Sequence, residues 1–167
     1  TASAILAIPA NDDDYIFISS GTWSLLGIER ENPDCTEISR QNHFTNEGGF
    51  GSAICYHRNI MGLWMIQSVR HEMGDCCSFA QICVEAEKEK NFPSRIDVTD
   101  QCFMAPDNMT EAIQEYCRQT GQKVPETLGQ IASCIYSGLA RCYADTIRGI
   151  EKSTGRAYKR IHIVGGG

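Results

Sequence analysis

The chain of 167 residues is long enough for one domain with a buried core, and 42% hydrophobic with 22% charged residues is globular composition, which argues against a disordered or membrane-spanning chain. Its 15 Lys and Arg against 21 Asp and Glu leave a net charge of −6, which speaks against a broad nucleic-acid or anionic-lipid footprint. A small anion remains a possible ligand, because backbone amides bind phosphate without net positive charge.

Residues 1–10, "TASAILAIPA", open without an initiator methionine or a secretory leader, and the chain stops on "GGG". Both ends suggest a piece of a longer protein. "NDDD" at 11–14 is a polar turn, and Tyr15 to Ile18 form a compact β-prone run. "SSGTWS" and then "LLGIE" follow, so two strands around Gly21 and Thr22 make a β-hairpin. Between 30 and 58 the pattern is mixed, with short extended pieces broken by Gly48, Gly49 and Gly51. From Asn59 the period changes: Met61, Trp64, Met65 and Val69 fall at helical spacing, and Asn59 suits either a polar ligand or the N-cap of that helix.

Residues 75–90 predict a more exposed helix with Phe79, Ile82, Cys83 and Ala86 on one face, closed by the charge run "EAEKEK". Pro93 and Pro106 bracket a connection. Asp107 or Asn108 then caps a short helix that Gly121 stops. The longest predicted helix has Pro125 in its first turn and carries Leu128, Ile131, Ile135, Leu139 and Ile150 at three- and four-residue steps. A polar loop at 153–159 leads into a last strand, Ile161 to Val164. The order, hairpin then irregular strands then helices then a strand, suits an α/β layer with a mixed sheet.

Nine cysteines, an odd count with no C-x-x-C pair, point to isolated buried thiols in a cytosolic protein rather than to a disulfide framework or a zinc site. Cys117 and Cys134 are the exception worth tracking, since a helical hairpin would bring them together. His43, His57, His71 and His162 are scattered and read as structural, and no Walker phosphate loop is present.

Gly21 and Thr22 at a hairpin tip present backbone and hydroxyl groups suited to a phosphate, and Gly165 to Gly167 offer a second close-approach surface at a strand end. Plain turn chemistry explains either alone. Together they could hold two parts of one nucleotide. Asn46 and Glu47 in "NEGG" suit a polar ligand or a turn, and Gln67 on a largely apolar helix needs a partner, because an unpaired amide costs about 1–3 kcal/mol.

In this order, "TASA", "YIFISSGTWSLLGIE", "TNEGG", "RNIMGLWMIQSV", "CIYSGLARCYAD" and "IHIVGGG" resemble the C-terminal half of the FGGY carbohydrate kinases, within the branch that phosphorylates L-rhamnulose. The resemblance covers the whole chain. It implies the actin, Hsp70 and hexokinase type of ribonuclease H-like ATPase fold, incomplete at both ends, with residues 1–167 as a single partial domain. That domain would be the nucleotide-binding half of a two-domain enzyme with ATP and Mg2+ as cofactors and its own N-terminal domain as partner.

The resemblance also implies that Thr22 contacts ATP phosphates, that Gln67 contacts ATP, and that Gly166 lies against the adenosine with Gly165 and Gly21 beside the nucleotide. Thr1 and Asn59 would sit on the sugar side. The catalytic aspartate would fall immediately before Thr1, leaving no catalytic base in the chain and no useful kinase activity for it alone. Trp23 would support packing. A different sugar, fuculose or xylulose, or a noncatalytic nucleotide-binding module with an actin-like half-fold, are the alternatives.

Overall fold

The computed structural model describes residues 2–10 and 12–166, and the chain divides into two compact units. The first comprises the residues up to Leu63 and those from Tyr143 onward; the second runs from Trp64 to Cys142.

The first unit holds a five-stranded sheet: β1 (Tyr15–Ser20), β2 (Trp23–Arg30), β3 (Phe44–Gly48), β4 (Ile54–Met61) and β5 (Arg160–Gly165). Their order across the sheet is β3-β4-β2-β1-β5, antiparallel except that β5 runs parallel to β1. The sheet is therefore mixed, as the sequence predicts. Ile16, Phe17 and Ile18 are buried on alternating faces of β1, as a central strand between two apolar layers requires. On one face the short helix α1 (Ala2–Leu6) and its continuation place Ile5 and Ile8 against Tyr15, Phe17 and Cys55. On the other, Phe44 stacks on Tyr56 at 4.6 Å, and the Tyr56 hydroxyl donates to Ser153 near the end of a long helix.

A short helix that the sequence reading did not anticipate, α2 (Glu37–Gln41), precedes β3, with Thr36 as its N-cap. The "NEGG" stretch lies largely in β3 rather than in a turn. Asn46 uses both ends of its amide on the Asp34 backbone, accepting from the N–H and donating to the carbonyl at 2.9 Å each. Its role is to pin the loop before α2.

The second unit is helical: α3 (Trp64–Glu72), α4 (Phe79–Lys88), α5 (Met109–Gln119) and the N-terminal part of α6 (Leu128–Thr154), whose last residues belong to the first unit. Side chains fix the helix starts. Ser78 and Gln81 form a reciprocal capping box on α4. Asn108 accepts from the Glu111 N–H on α5 at 2.9 Å, and the Glu72 carboxylate reaches from α3 to accept from Met109 N–H and Thr110 N–H. Ile82, Val98, Phe103, Ile113 and Ile135 are fully buried in this unit.

Four expectations need correction. The helix expected from Asn59 begins only at Trp64, because Asn59, Ile60 and Met61 pair with Leu25, Ser24 and Trp23 as the end of β4. An apolar run of that length satisfies either period, and the ladder decides it. Pro125 lies ahead of α6 rather than in its first turn, where the Thr127 hydroxyl accepts from Gln130 N–H. On α4 only Ile82 and Ala86 are buried, so Phe79 and Cys83 do not belong to its inner face. Of the nine cysteines, Cys55, Cys117, Cys134 and Cys142 are buried and the other five are not, so buried thiols are only part of the account. Cys117 and Cys134 do meet, as interacting free thiols, with the Cys134 thiol donating to the Ser94 carbonyl at 3.3 Å. Among the described residues no helix is long and apolar enough to cross a membrane.

Candidate functional site

One end of the sheet gathers most of the residues singled out in the sequence. β1 and β2 close over a tip that holds Gly21 and Thr22, with Ser20 opposite Ser24. The Gly21 carbonyl accepts from Leu63 N–H at 2.9 Å and the Thr22 carbonyl from Gly62 N–H at 3.1 Å, stitching the tip to the chain leaving β4. Such a junction tolerates only glycine at position 62. A Cβ there would lie 2.6 Å from the Ser24 hydroxyl and 2.8 Å from the Gly21 carbonyl oxygen.

The second glycine corner adjoins the first. β5 is in register with β1 so that Gly165 lies opposite Ser20, and Gly166 N–H donates to the Ser20 carbonyl at 3.1 Å. Gly165 has φ 111°, and a Cβ on it would come within 2.2 Å of the same carbonyl oxygen. Three successive carbonyls, Ser20 to Thr22, thus face their own neighbours. The Gly21 N–H is also engaged, with the Trp23 carbonyl at 3.1 Å, so Gly21 offers close approach rather than an amide donor. Gly166 differs: a Cβ there would meet nothing within 4 Å, so its open side lies toward solvent.

Beneath the tip, Ser24 is completely buried and shares a 2.6 Å hydrogen bond with the Tyr143 hydroxyl on α6. This pair fixes the base of the hairpin to the helix, and sequence reasoning missed both members. Thr22 and Trp23 stand exposed at the tip; Trp23, expected to pack, keeps half of its surface in solvent.

Asn59 is exposed on β4, opposite Leu25 and two residues from the Met61 end, which puts it near the same end of the sheet as the tip. Strand alternation sets it on the face of β4 shared with Cys55 and His57, the face on which α1 packs. Gln67 lies in the second unit, half-buried on α3. Thr1 falls outside the described residues, as does Gly167.

His57 is fully buried, with its Nδ1 3.3 Å from the Cys55 carbonyl and its Nε2 3.4 Å from both Thr45 Oγ1 and Glu47 Oε1. It is a structural residue of the sheet. At the opposite end of the sheet lies an open depression of about 890 Å³, lined in part by Arg30, Phe50, Arg156 and Tyr158. Its cations are already paired, Arg30 with Asp34 and Arg156 with Asp13. The described residues contain no group of three or more His, Cys, Asp or Glu side chains able to hold a metal ion.

A mixed sheet whose glycine corners meet at the carboxyl ends of two parallel strands is the architecture of α/β ligand-binding proteins. The sequence pattern of the FGGY family of carbohydrate kinases, C-terminal domain, matches residues 16–167, and the chain belongs to that family. It is 44% identical over 167 residues to a rhamnulokinase of Bacillus subtilis, covering 100% of this chain and 34% of that protein. A rhamnulokinase of Enterococcus faecalis is 45% identical over 169 residues, with the same 100% and 34% coverage. The chain thus spans about a third of the length of these curated relatives. Among solved structures, the xylulose kinase of Bifidobacterium adolescentis matches with a TM-score of 0.57 at 16% identity, over 99% of this chain and 31% of that one. The fold is accordingly the actin-like ATPase fold of these kinases.

Proposed function

We propose that this chain is the nucleotide-binding half of a two-domain sugar kinase. The whole enzyme transfers the γ-phosphoryl group of MgATP to the 1-hydroxyl of L-rhamnulose in the cytosol, giving L-rhamnulose 1-phosphate. The observation that carries the reading is the meeting of two glycine corners, Gly21–Thr22 and Gly165–Gly166, on either side of the Ser20 carbonyl at one sheet end. Identity above 40% to rhamnulokinases along the full chain supports the choice of sugar.

In this reading the Thr22 hydroxyl donates to ATP phosphate oxygens, while Gly21 keeps the tip free of a Cβ. Gly166 and Gly165 lie against the adenosine, where the open side of Gly166 leaves room for a planar group. Gln67 contacts ATP from α3, and Asn59 and Thr1 serve the sugar. Mg2+ would accompany the nucleotide and supply charge neutralisation at its phosphates, beside the Thr22 hydroxyl.

Phosphoryl transfer depends on in-line positioning and charge neutralisation more than on covalent help. The proton of the sugar hydroxyl passes to a general base, the aspartate that resemblance sets immediately before Thr1, a contribution of about 10²- to 10⁴-fold. The N-terminal domain of the same enzyme completes the sugar site and excludes water.

Thr22→Ala in the full-length enzyme tests the assignment. A lost hydrogen bond to a charged group is worth about 1.5–3 kcal/mol, so kcat/KM for ATP should fall about 10- to 100-fold with the sugar KM little changed. Unchanged ATP kinetics would remove Thr22 from the site.

A further inference from the structure

The loop between α3 and α4 brings together two side chains that regular structure keeps apart. Neighbouring residues diverge along a helix and point to opposite faces of a strand, so adjacent cysteines seldom bring their sulfurs together. Here Cys76 and Cys77 have sulfurs 3.5 Å apart, with Cys76 exposed and Cys77 half-exposed.

The loop is held in that shape. Asp75 takes a left-handed conformation, φ 55°, and its N–H donates to the Arg70 carbonyl at 3.1 Å. Arg70 in turn donates from Nε to the Cys77 carbonyl at 2.7 Å and from Nη1 to Asp75 Oδ1 at 2.6 Å. Ser78, the next residue, is fixed by the capping box of α4. The dithiol is therefore preorganised by its backbone, which lowers the cost of binding to both sulfurs at once.

Geometry narrows what the pair can take. A direct disulfide is disfavoured, because adjacent Cα atoms are about 3.8 Å apart and disulfides need about 4.4–6.8 Å. Zinc needs four donors, and the described residues supply no cluster of three. With metal–sulfur bonds of about 2.3 Å, a linear two-coordinate ion wants sulfurs about 4.6 Å apart, whereas a pyramidal centre with near-right angles wants about 3.3 Å. The observed separation fits the bent arrangement. A soft, pyramidal centre that prefers two sulfurs is trivalent arsenic carrying one organic substituent.

We propose that Cys76 and Cys77 form a chelating dithiol site for monosubstituted trivalent arsenicals. Both S–H bonds and the As–O double bond are broken, two As–S bonds form, and one water leaves carrying the two thiol protons and the arsenic-bound oxygen. Arsenic and sulfur keep their oxidation states. Hydrogen bonding to Cys76 pushes the Cys77 thiol above its ordinary value. Cys117 and Cys134, the other thiols in contact, are buried and inaccessible to the same reagent.

The test is stoichiometric phenylarsine oxide with the full chain, followed by native mass spectrometry and titration of free thiols. One adduct should form with the mass of the reagent less one water, two titratable thiols should disappear, and the adduct should map to the peptide holding residues 76 and 77. Excess mercaptoethanol should leave it intact and dithiothreitol should remove it. Cys76→Ser and Cys77→Ser, both mild changes at solvent-accessible positions, should each abolish it, while Cys83→Ser should retain it. Absence of the adduct, its removal by the monothiol, its persistence in either serine variant, or its location elsewhere overturns the proposal.

Discussion

The two units are ordered by different means. In the sheet unit, the end carrying the proposed nucleotide site is built from main-chain contacts: the Ser20, Gly21 and Thr22 carbonyls accept from Gly166, Leu63 and Gly62. In the helical unit, single side chains do the fixing, with Glu72 and Asn108 on α5 and Ser78 with Gln81 on α4. Main-chain contacts as close as those at Gly62 and Gly165 leave no room for a Cβ, whereas an exposed cap can be lost at the value of one hydrogen bond. Substitutions should therefore separate the units by size of effect.

Gly165→Ala should give the largest effect. The left-handed φ adds about 1–3 kcal/mol of strain, and the clash with the Ser20 carbonyl oxygen adds about as much again, so urea unfolding should show a loss of about 3 kcal/mol. A loss below about 1 kcal/mol would mean that the β1–β5 corner relaxes freely, and the contrast between the units would fail. Tyr143→Phe follows. It leaves the hydroxyl of fully buried Ser24 without this bond, at a cost of about 1–2 kcal/mol, and an unchanged denaturation midpoint would show that the hairpin base does not depend on it.

On the helical side, Glu72→Ala removes an anionic cap from the start of α5. Its acceptor groups are exposed, so about 1 kcal/mol is expected, with hydrogen exchange accelerating more at α5 amides than at those of β2. Equal acceleration in both places would argue against a locally held helix.

These differences also explain what was legible in the sequence. The β1–β2 hairpin, β5 and the long helix α6 were readable because strong β-prone runs, a Gly-Thr tip and a sustained helical period each act locally. The end of β4 was not, since Asn59-Ile60-Met61 is apolar enough for either structure and only pairing with β2, some 35 positions earlier in the chain, settles it. Gly21, Thr22 and Gly165 could be picked out as glycine corners, but their meeting at Ser20 depends on the parallel register of β1 and β5, to which no short-range pattern refers. Ser24 and Tyr143 were invisible for the same reason: 119 positions separate the partners of one hydrogen bond. The Cys76–Cys77 convergence rests on the backbone of a single aspartate, which no residue pattern announces.

Alkaline titration offers the smallest but most selective comparison. In the sheet unit the Tyr15 hydroxyl donates to Glu29 at 3.0 Å, and burial, reinforced by that carboxylate, pushes its pKa up to about 12. In an unfolded chain tyrosine titrates near about 10. Below that pH the phenol is neutral in both states and its contribution to stability is fully present. Between about 10 and about 12 the unfolded chain loses the proton while the folded one keeps it, so stability falls as pH rises. In the helical unit burial raises the Cys134 thiol to about 12 from a starting point near 9, so its share of the loss begins about one pH unit earlier. Tyr15→Phe should lower stability by about 0.5–1 kcal/mol at neutral pH through loss of the hydrogen bond, and should flatten the decline above pH 10 while leaving its onset near pH 9 in place. Cys134→Ala should shrink the part of the loss that begins near pH 9. Parallel pH profiles for Tyr15→Phe and the unsubstituted chain above pH 10 would show that the phenol ionises alike in both states and would remove it from the account.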